Sequence, residues 1–140
     1  MPKLFKKNKK IEIKPATYDD WRFVLHLRNR NYVRNASWDT KSIDAETHRQ
    51  WFMNNYRYYY IINKNQGVVR VKDGEISIFL YKKYQNRGLG SLVLSEFLKK
   101  YKHLKATVRI ENTQSLKCFI KSGFVPIGFV LAEKPEMKYI

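Results

Sequence analysis

The sequence predicts one α/β domain, a mixed sheet covered by four helices. Three observations carry this expectation. Short β-branched and aromatic runs alternate with segments of helical apolar period, in the order β-α-α-β-β-β-α-β-α-β-β. No internal repeat or long linker divides them. The chain has 140 residues and 44% hydrophobic content, enough for one domain to bury about two-thirds of the surface its unfolded form exposes.

Residues 1–10 carry five lysines (Lys3, Lys6, Lys7, Lys9 and Lys10) with only Leu4 and Phe5 as apolar anchors. They read as a solvated basic tail, and the domain proper as residues 11–140. Residues 11–14 alternate apolar and charged side chains, a first strand stopped by Pro15. Thr17 and Asp20 stand at capping-box spacing, with aspartate for the usual glutamate, and open a helix placing Trp21, Val24, Leu25 and Arg28 on one face. Ser42 is positioned to cap a second helix carrying Ala45, His48, Trp51 and Phe52, and Trp38 sits in the polar loop between the two. Residues 58–62 form a strand, a turn at 63–67 returns the chain through 68–71, and Asp73-Gly74 turns it again into a strand over 76–81. Residues 106–110 form a further strand. Asn112 caps a helix of Ser115, Leu116, Phe119 and Ile120 that ends at Gly123. Residues 124–130 and 136–140 are expected as two closing strands.

The stretch that organises the chain is residues 75–91. Two lysines end its apolar strand, Gln85-Asn86-Arg87-Gly88-Leu89-Gly90 follows, and Leu92, Val93, Phe97 and Leu98 then recur at helical spacing. The glycines therefore stand where a strand turns into a helix, and there they let backbone N–H groups approach a ligand closely. A helix N-terminus carries about half a positive charge, to which Lys82, Lys83 and Arg87 add. The arrangement suits a phosphorylated ligand. A Walker-type loop is excluded because no Gly-Lys-Ser/Thr follows the glycines. The dinucleotide fingerprint fails for want of a third glycine and a later acidic residue.

Net charge is +16, with 28 basic residues against 12 acidic. A field of that sign attracts anionic partners, whether nucleic acid, phosphorylated cofactors or nucleotide-sugars. The single cysteine, Cys118, makes no intramolecular disulfide and suits a reducing compartment. No apolar run approaches the roughly 20 residues of a membrane span, and the first residues are too polar for a secretory signal. A soluble, cytoplasmic protein without a metal site is expected.

Gln85, Gly88 and Gly90 resemble the Gln/Arg-x-x-Gly-x-Gly/Ala loop of the GNAT acyltransferase superfamily. Residues 112–124, Asn-Thr-Gln-Ser-Leu-Lys-Cys-Phe-Ile-Lys-Ser-Gly-Phe, resemble its Asn-x-x-Ala/Ser-x-x-Leu-Tyr-x-x-x-Gly-Phe segment. The resemblance covers residues 11–140. It implies a single-domain GNAT fold, a mixed, mostly antiparallel sheet flanked by four helices, and direct transfer of acetyl from acetyl-CoA to a primary amine. On matching positions, backbone groups of Ile78, Phe79 and Leu80 would pair with the coenzyme's pantetheine amides as an added strand does. Amides of Arg87, Gly88, Leu89, Gly90 and Ser91 would hold its pyrophosphate, with Gln85 and Asn86 flanking, and Asn112 would contact its arm. Glu75 falls where several members carry the general base, a role worth about 10²–10⁴-fold in rate. The usual general-acid tyrosine falls on Phe119, which has no proton to donate, leaving Tyr84, water or solvent for that step. Cys118 beside it is expected to point elsewhere, into the core.

Arg28-Asn29, Val33-Arg34, Trp38, Ile43 and Glu46-x-His48-x-x-Trp51-Phe52 resemble one branch in particular, the UDP-4-amino-sugar N-acetyltransferases of pseudaminic-acid-type pathways. The resemblance implies a nucleotide-sugar acceptor. Arg28, Arg30 and Arg34 can pair bidentately with a diphosphate, and Trp38 or Trp51 can stack on a ring. Asn29 and His48 complete the implied acceptor set, although an imidazole at the His48 position is more often packed and satisfied than a base. Such a protein would be a monomer or homodimer, with nucleic acid not its expected partner. Two alternatives remain: acetylation of a protein α-amine, as in ribosomal-protein acetyltransferases, and a catalytically idle GNAT fold binding nucleic acid.

Overall fold

A computed structural model of the chain describes residues 11–131. The basic tail at 1–10 and the strand expected at 136–140 lie outside the described residues. Four strands form one antiparallel sheet in the order β1-β2-β3-β4: β1 Ile13–Pro15, β2 Tyr59–Ile62, β3 Gly67–Lys72 and β4 Glu75–Leu80. The β3–β4 hairpin closes through Asp73 and Gly74, both at positive φ, as a two-residue turn matching the strand twist requires. Pro15 ends β1 at the sheet edge, where its missing N–H costs no ladder bond.

Both faces of the sheet are buried, and strand alternation sorts side chains between them. In β2, Tyr60 and Ile62 join one core with Val69, Ile76 and Phe97, while Tyr59 and Ile61 join the other with Val24, Leu27, Phe52 and Val68. Helices α4 (Leu89–Lys100) and α5 (Thr113–Ser122) cover the first face, and α1 (Trp21–Arg28) and α3 (Ala45–Asn55) the second. Each wholly buried apolar side chain is worth about 1.5–3 kcal/mol.

Several local expectations are met. The Asp20 carboxylate accepts from the Thr17 N–H at 2.7 Å, closing the capping box over one 3-10 turn that leads into α1. Asn112 Oδ1 accepts from the Ser115 N–H at 3.2 Å, and Gly123, at φ +120°, ends α5. Others are corrected. The cap of α3 is Asp44, not Ser42; its carboxylate accepts from the Thr47 N–H at 3.0 Å and sits at the positive end of the helix dipole. A fifth helix, α2 (Asn31–Ala36), follows an extended Arg30 and buries Val33.

Residues 106–110 form no strand. The chain touches β4 through a single parallel bridge, Lys105 to Glu75, and then diverges, as Arg109 Nη1 donates to the Ser37 carbonyl oxygen at 3.1 Å. Residues 124–130 form no strand either. Val125, Ile127 and Phe129 are 74%, 88% and 90% exposed, and Pro126 and Gly128 interrupt the alternation with a missing donor and a missing side chain. Among the described residues no helix is long and apolar enough to cross a membrane.

Phe52 is fully buried at the centre of the second core, whereas Met53 beside it is 48% exposed. Phe52→Ala should lower the unfolding free energy by about 3–5 kcal/mol. Met53→Ala should change it by less than about 0.5 kcal/mol. Chemical denaturation followed by circular dichroism measures both.

Candidate active site

The site begins with the free edge of β4. Ile76 N–H donates to Lys105 O at 2.9 Å, on the side of the strand away from β3. A strand residue sends its N–H and C=O to one side and its neighbours send theirs to the other, so Ile78 and Leu80 face the same way as Ile76. The chain has left β4 by then, and the backbone of Ile78 stands unpaired along that edge among the described residues. Gln85 closes the far end, its Nε2 donating to Leu80 O at 3.0 Å. A cleft of about 340 Å³ opens along this edge, walled opposite by Thr107, Val108 and the first turns of α5.

The loop after β4 supplies a second backbone feature. Asn86 and Gly88 take positive φ, +61° and +81°, while Arg87 between them does not. Such alternation turns successive N–H groups toward one point, a concavity suited to an anion. The amides of Leu89, Gly90 and Ser91 in the first turn of α4 have no acceptor within their helix. Gly90 also lets α4 approach α5: a Cβ there would lie 2.8 Å from Cys118 Sγ.

A second cleft, of about 450 Å³, opens on the other face of the sheet, between β2–β4 and helices α1 and α3. Arg28, His48, Trp51, Tyr59 and Arg70 give it its polar and aromatic walls. Ser77 and Phe79 of β4 line both clefts, so a molecule in one meets a molecule in the other at this strand. Burial pushes the Tyr59 phenol up to about 12, against the opposing pull of Arg70 and Arg28. It is a neutral hydroxyl at any ordinary pH.

The sequence pattern of the acetyltransferase (GNAT) family matches residues 21–124, from the start of α1 to just past α5. The chain belongs to this acetyltransferase family. No curated protein matches it. Among solved structures, a GNAT-family acetyltransferase from Bacillus anthracis is 22% identical, with a TM-score of 0.72 over 89% of this chain and 86% of its own. A spermidine N-acetyltransferase from Vibrio cholerae, in complex with CoA and spermine, is 15% identical, with a TM-score of 0.76 over 90% and 87%. The microcin C7 self-immunity acetyltransferase MccE, in complex with acetyl-CoA and AMP, is 15% identical, with a TM-score of 0.65 over 84% and 79%. At these identities the likeness is one of fold.

Within this GNAT domain, the positions singled out from sequence separate into groups. Ile78, Leu80, Gln85, Gly90, Asn112 and Trp38 line the first cleft. Phe79 lines both clefts, but its side chain packs against the second core and its backbone belongs to the β3 ladder opposite Val68. Asn86, Arg87, Gly88, Leu89 and Ser91 form the adjoining loop and helix start. Arg28 and His48 line the second cleft. Asn29 and Arg34 line neither: the Asn29 amide exchanges two hydrogen bonds with the Ile43 backbone, at 2.8 and 2.9 Å, pinning the α2–α3 loop. Arg34 donates to Asn31 Oδ1 at 2.7 Å.

Glu75 is exposed and lines neither cleft, but its Oε1 accepts at 3.3 Å from the hydroxyl of Thr107, which does line the first. Tyr84 also stands outside both clefts. Cys118 packs against the first core, as expected, and also lines the first cleft, with its Sγ beside the close approach of α4 at Gly90. Sequence reading missed Tyr32, Ser77, Thr107 and Arg70. Arg70 left a signal, a charge on the same strand face as buried Val68; the others left none.

His48 is buried, stacks on Phe52 at 5.4 Å and donates from Nε2 to the Trp21 carbonyl oxygen at 3.0 Å. Burial lowers its pKa below the ordinary 6.5, against the opposing pull of that carbonyl and with help from Arg28. The unfolded chain therefore takes up a proton near pH 6.5 that the folded chain resists, and stability falls as pH drops through 6.5. Urea midpoints should decline between pH 7.5 and 5.5. His48→Gln should flatten that decline, and an equal decline in the variant would contradict it.

Proposed function

We propose that this chain transfers the acetyl group of acetyl-CoA to the primary amine of a small molecule, most specifically a nucleotide-linked amino-sugar. The observation that carries the reading is the meeting of two clefts on β4. On one side, the unpaired edge at Ile78 suits an amide-bearing arm adding as a strand, and the amides from Arg87 to Ser91 suit a diphosphate. On the other, Arg28 and Trp51 offer a charge and a ring to a nucleotide-sugar. The fold of MccE, whose structure is a complex with acetyl-CoA and AMP, supports a nucleotide-bearing acceptor on this architecture.

The chemistry is direct. The amine lone pair attacks the thioester carbonyl from the Ser77–Phe79 side, a C–N bond forms and the C–S bond breaks. The nitrogen loses one proton and the departing thiolate gains one. No carboxylate lines either cleft among the described residues. Glu75 is the general base of this reading, taking the proton through the Thr107 hydroxyl that already donates to it. The thiolate has Tyr32 within the first cleft as its phenol, with its oxygen accepting from the Lys82 N–H at 2.9 Å and its own proton free to be given.

Free-thiol release from acetyl-CoA, measured with UDP-linked amino-sugars and with peptides bearing free N-termini, tests the reading. Turnover is expected with the amino-sugars. Turnover with peptides alone would replace the acceptor, and failure of calorimetry to detect coenzyme A would end the whole reading. Gly88→Ala, strained at φ +81° in otherwise open space, should weaken coenzyme binding at least several-fold through a backbone penalty of about 1–2 kcal/mol. Glu75→Gln and Thr107→Val should each cut turnover at least tenfold, and combining them should cost little more than either alone. Unchanged turnover across the pH range in Glu75→Gln would remove it from the mechanism.

A further inference from the structure

The second cleft holds more positive charge than its walls neutralise. Arg28 enters from α1 and Arg70 from β3. Arg28 Nη1 and Arg70 Nε are buried N–H donors with no hydrogen-bond partner among the described residues. Among the described residues no acidic side chain lines the cleft. Arg28 Nη2 donates to Asp39 O at 2.8 Å, a neutral acceptor, and burial lowers the Arg28 pKa against the more distant attraction of Asp39. The Arg70 guanidinium lies 5.9 Å from the Trp51 ring centre, an aromatic face that steadies a cation without neutralising it. Buried, charged donors left unpaired are costly, and this pair shares one cavity.

We propose that this cleft binds an oxyanion of the acceptor, a phosphate or a carboxylate, between Arg28 and Arg70, and thereby restricts the enzyme to amines that carry one. The proposal rests on the reading that the second cleft takes the acceptor. Guanidinium forks match both oxyanions in shape and charge. Ser77 stands opposite Arg70 in the sheet register and lines both clefts, so the anion sits one small molecule's length from the point of transfer. A polyamine, cationic at every nitrogen, meets two like charges here and no carboxylate.

Trp51 fluorescence, taken as the difference between the wild type and Trp51→Phe, reports on the cleft, and inorganic pyrophosphate and succinate serve as probes, each titrated into the free protein and into protein saturated with coenzyme A. Saturable quenching by at least one probe in the coenzyme-saturated protein is expected, with affinity reduced at least tenfold in Arg70→Gln and in Arg28→Gln. Arg70→Lys, which keeps the charge and loses the fork, should fall between. Arg57→Gln, an exposed cation over Tyr58, should bind like the wild type. Tighter binding of pyrophosphate than of succinate assigns a phosphate-bearing acceptor, and the reverse a carboxylate-bearing one. Absence of saturable binding by either probe, binding unaffected by both arginine substitutions, or tighter quenching by spermidine than by either anion overturns the proposal. Failure of coenzyme A to bind would strike the acetyl-donor reading alone, because the titration of the free protein still reads the arginine pair.

Discussion

Everything at the site depends on where one strand pairing stops. Glu75 and Lys105 meet in a single parallel bridge, and two hydrogen bonds, Ile76 N–H to Lys105 O and Lys105 N–H to Gly74 O, hold it. One more pair would have sealed the edge of β4 and left a closed five-stranded sheet. The chain is instead drawn off, with Arg109 tied both to Ser37 O and to the Glu111 carboxylate at 2.6 Å. An open strand edge is a hazard in most folds, because unpaired N–H and C=O groups recruit other chains. Here a cleft wall covers the edge at a distance and leaves room for one extended ligand.

The same edge explains why the loop after β4 must be built as it is. The turn of its amides comes at a backbone cost, with Asn86 in a left-handed conformation that only glycine, asparagine and aspartate adopt readily. The loop is held at both ends. Gln85 donates to Leu80 O and accepts from Gln114 Nε2 at 3.4 Å, linking strand, loop and α5. Ser91 Oγ reaches Cys118 O at 3.4 Å across the α4–α5 contact that Gly90 permits. A rigid frame therefore presents the amides, as precise placement of binding groups requires.

Much of this was legible in the sequence, for local reasons. The Asp73-Gly74 turn, the Asn112 cap and the strand–glycine–helix passage are each decided by residues adjacent in the chain, and each is found where expected. What was not legible depends for the most part on partners distant in sequence. Residues 106–110 have the composition of a strand, but the pull of Arg109 toward Ser37, 72 positions away, decides their path. In residues 124–130 the apolar side chains read as a strand, yet Pro126 removes a donor and Gly128 a side chain where a ladder would need them. That Cys118 also lines the first cleft could be read only once the distance between α4 and α5 was known. Ser77, which lines both clefts, and Thr107, which lines the first, are ordinary polar residues whose significance comes from the strand divergence alone.

The two faces of β4 also divide the electrostatic work. Lys82, Lys83 and Arg87 stand exposed around the loop after β4, where water and salt moderate them. Arg28 and Arg70 act from a half-buried cavity, where screening is weaker. An amine entering that cavity as an ammonium meets two fixed like charges, and like charges lower an amine's pKa. Each unit of such lowering is worth about 1.4 kcal/mol toward the neutral, nucleophilic form. A monoanionic group between the arginines cancels one charge and leaves the other in place. A cleft of this kind can therefore hold its ligand by the anion while still disfavouring the protonated amine. That reduces the demand on any general base, and it fits two clefts that no carboxylate lines among the described residues, Glu75 meeting the first only through the Thr107 hydroxyl.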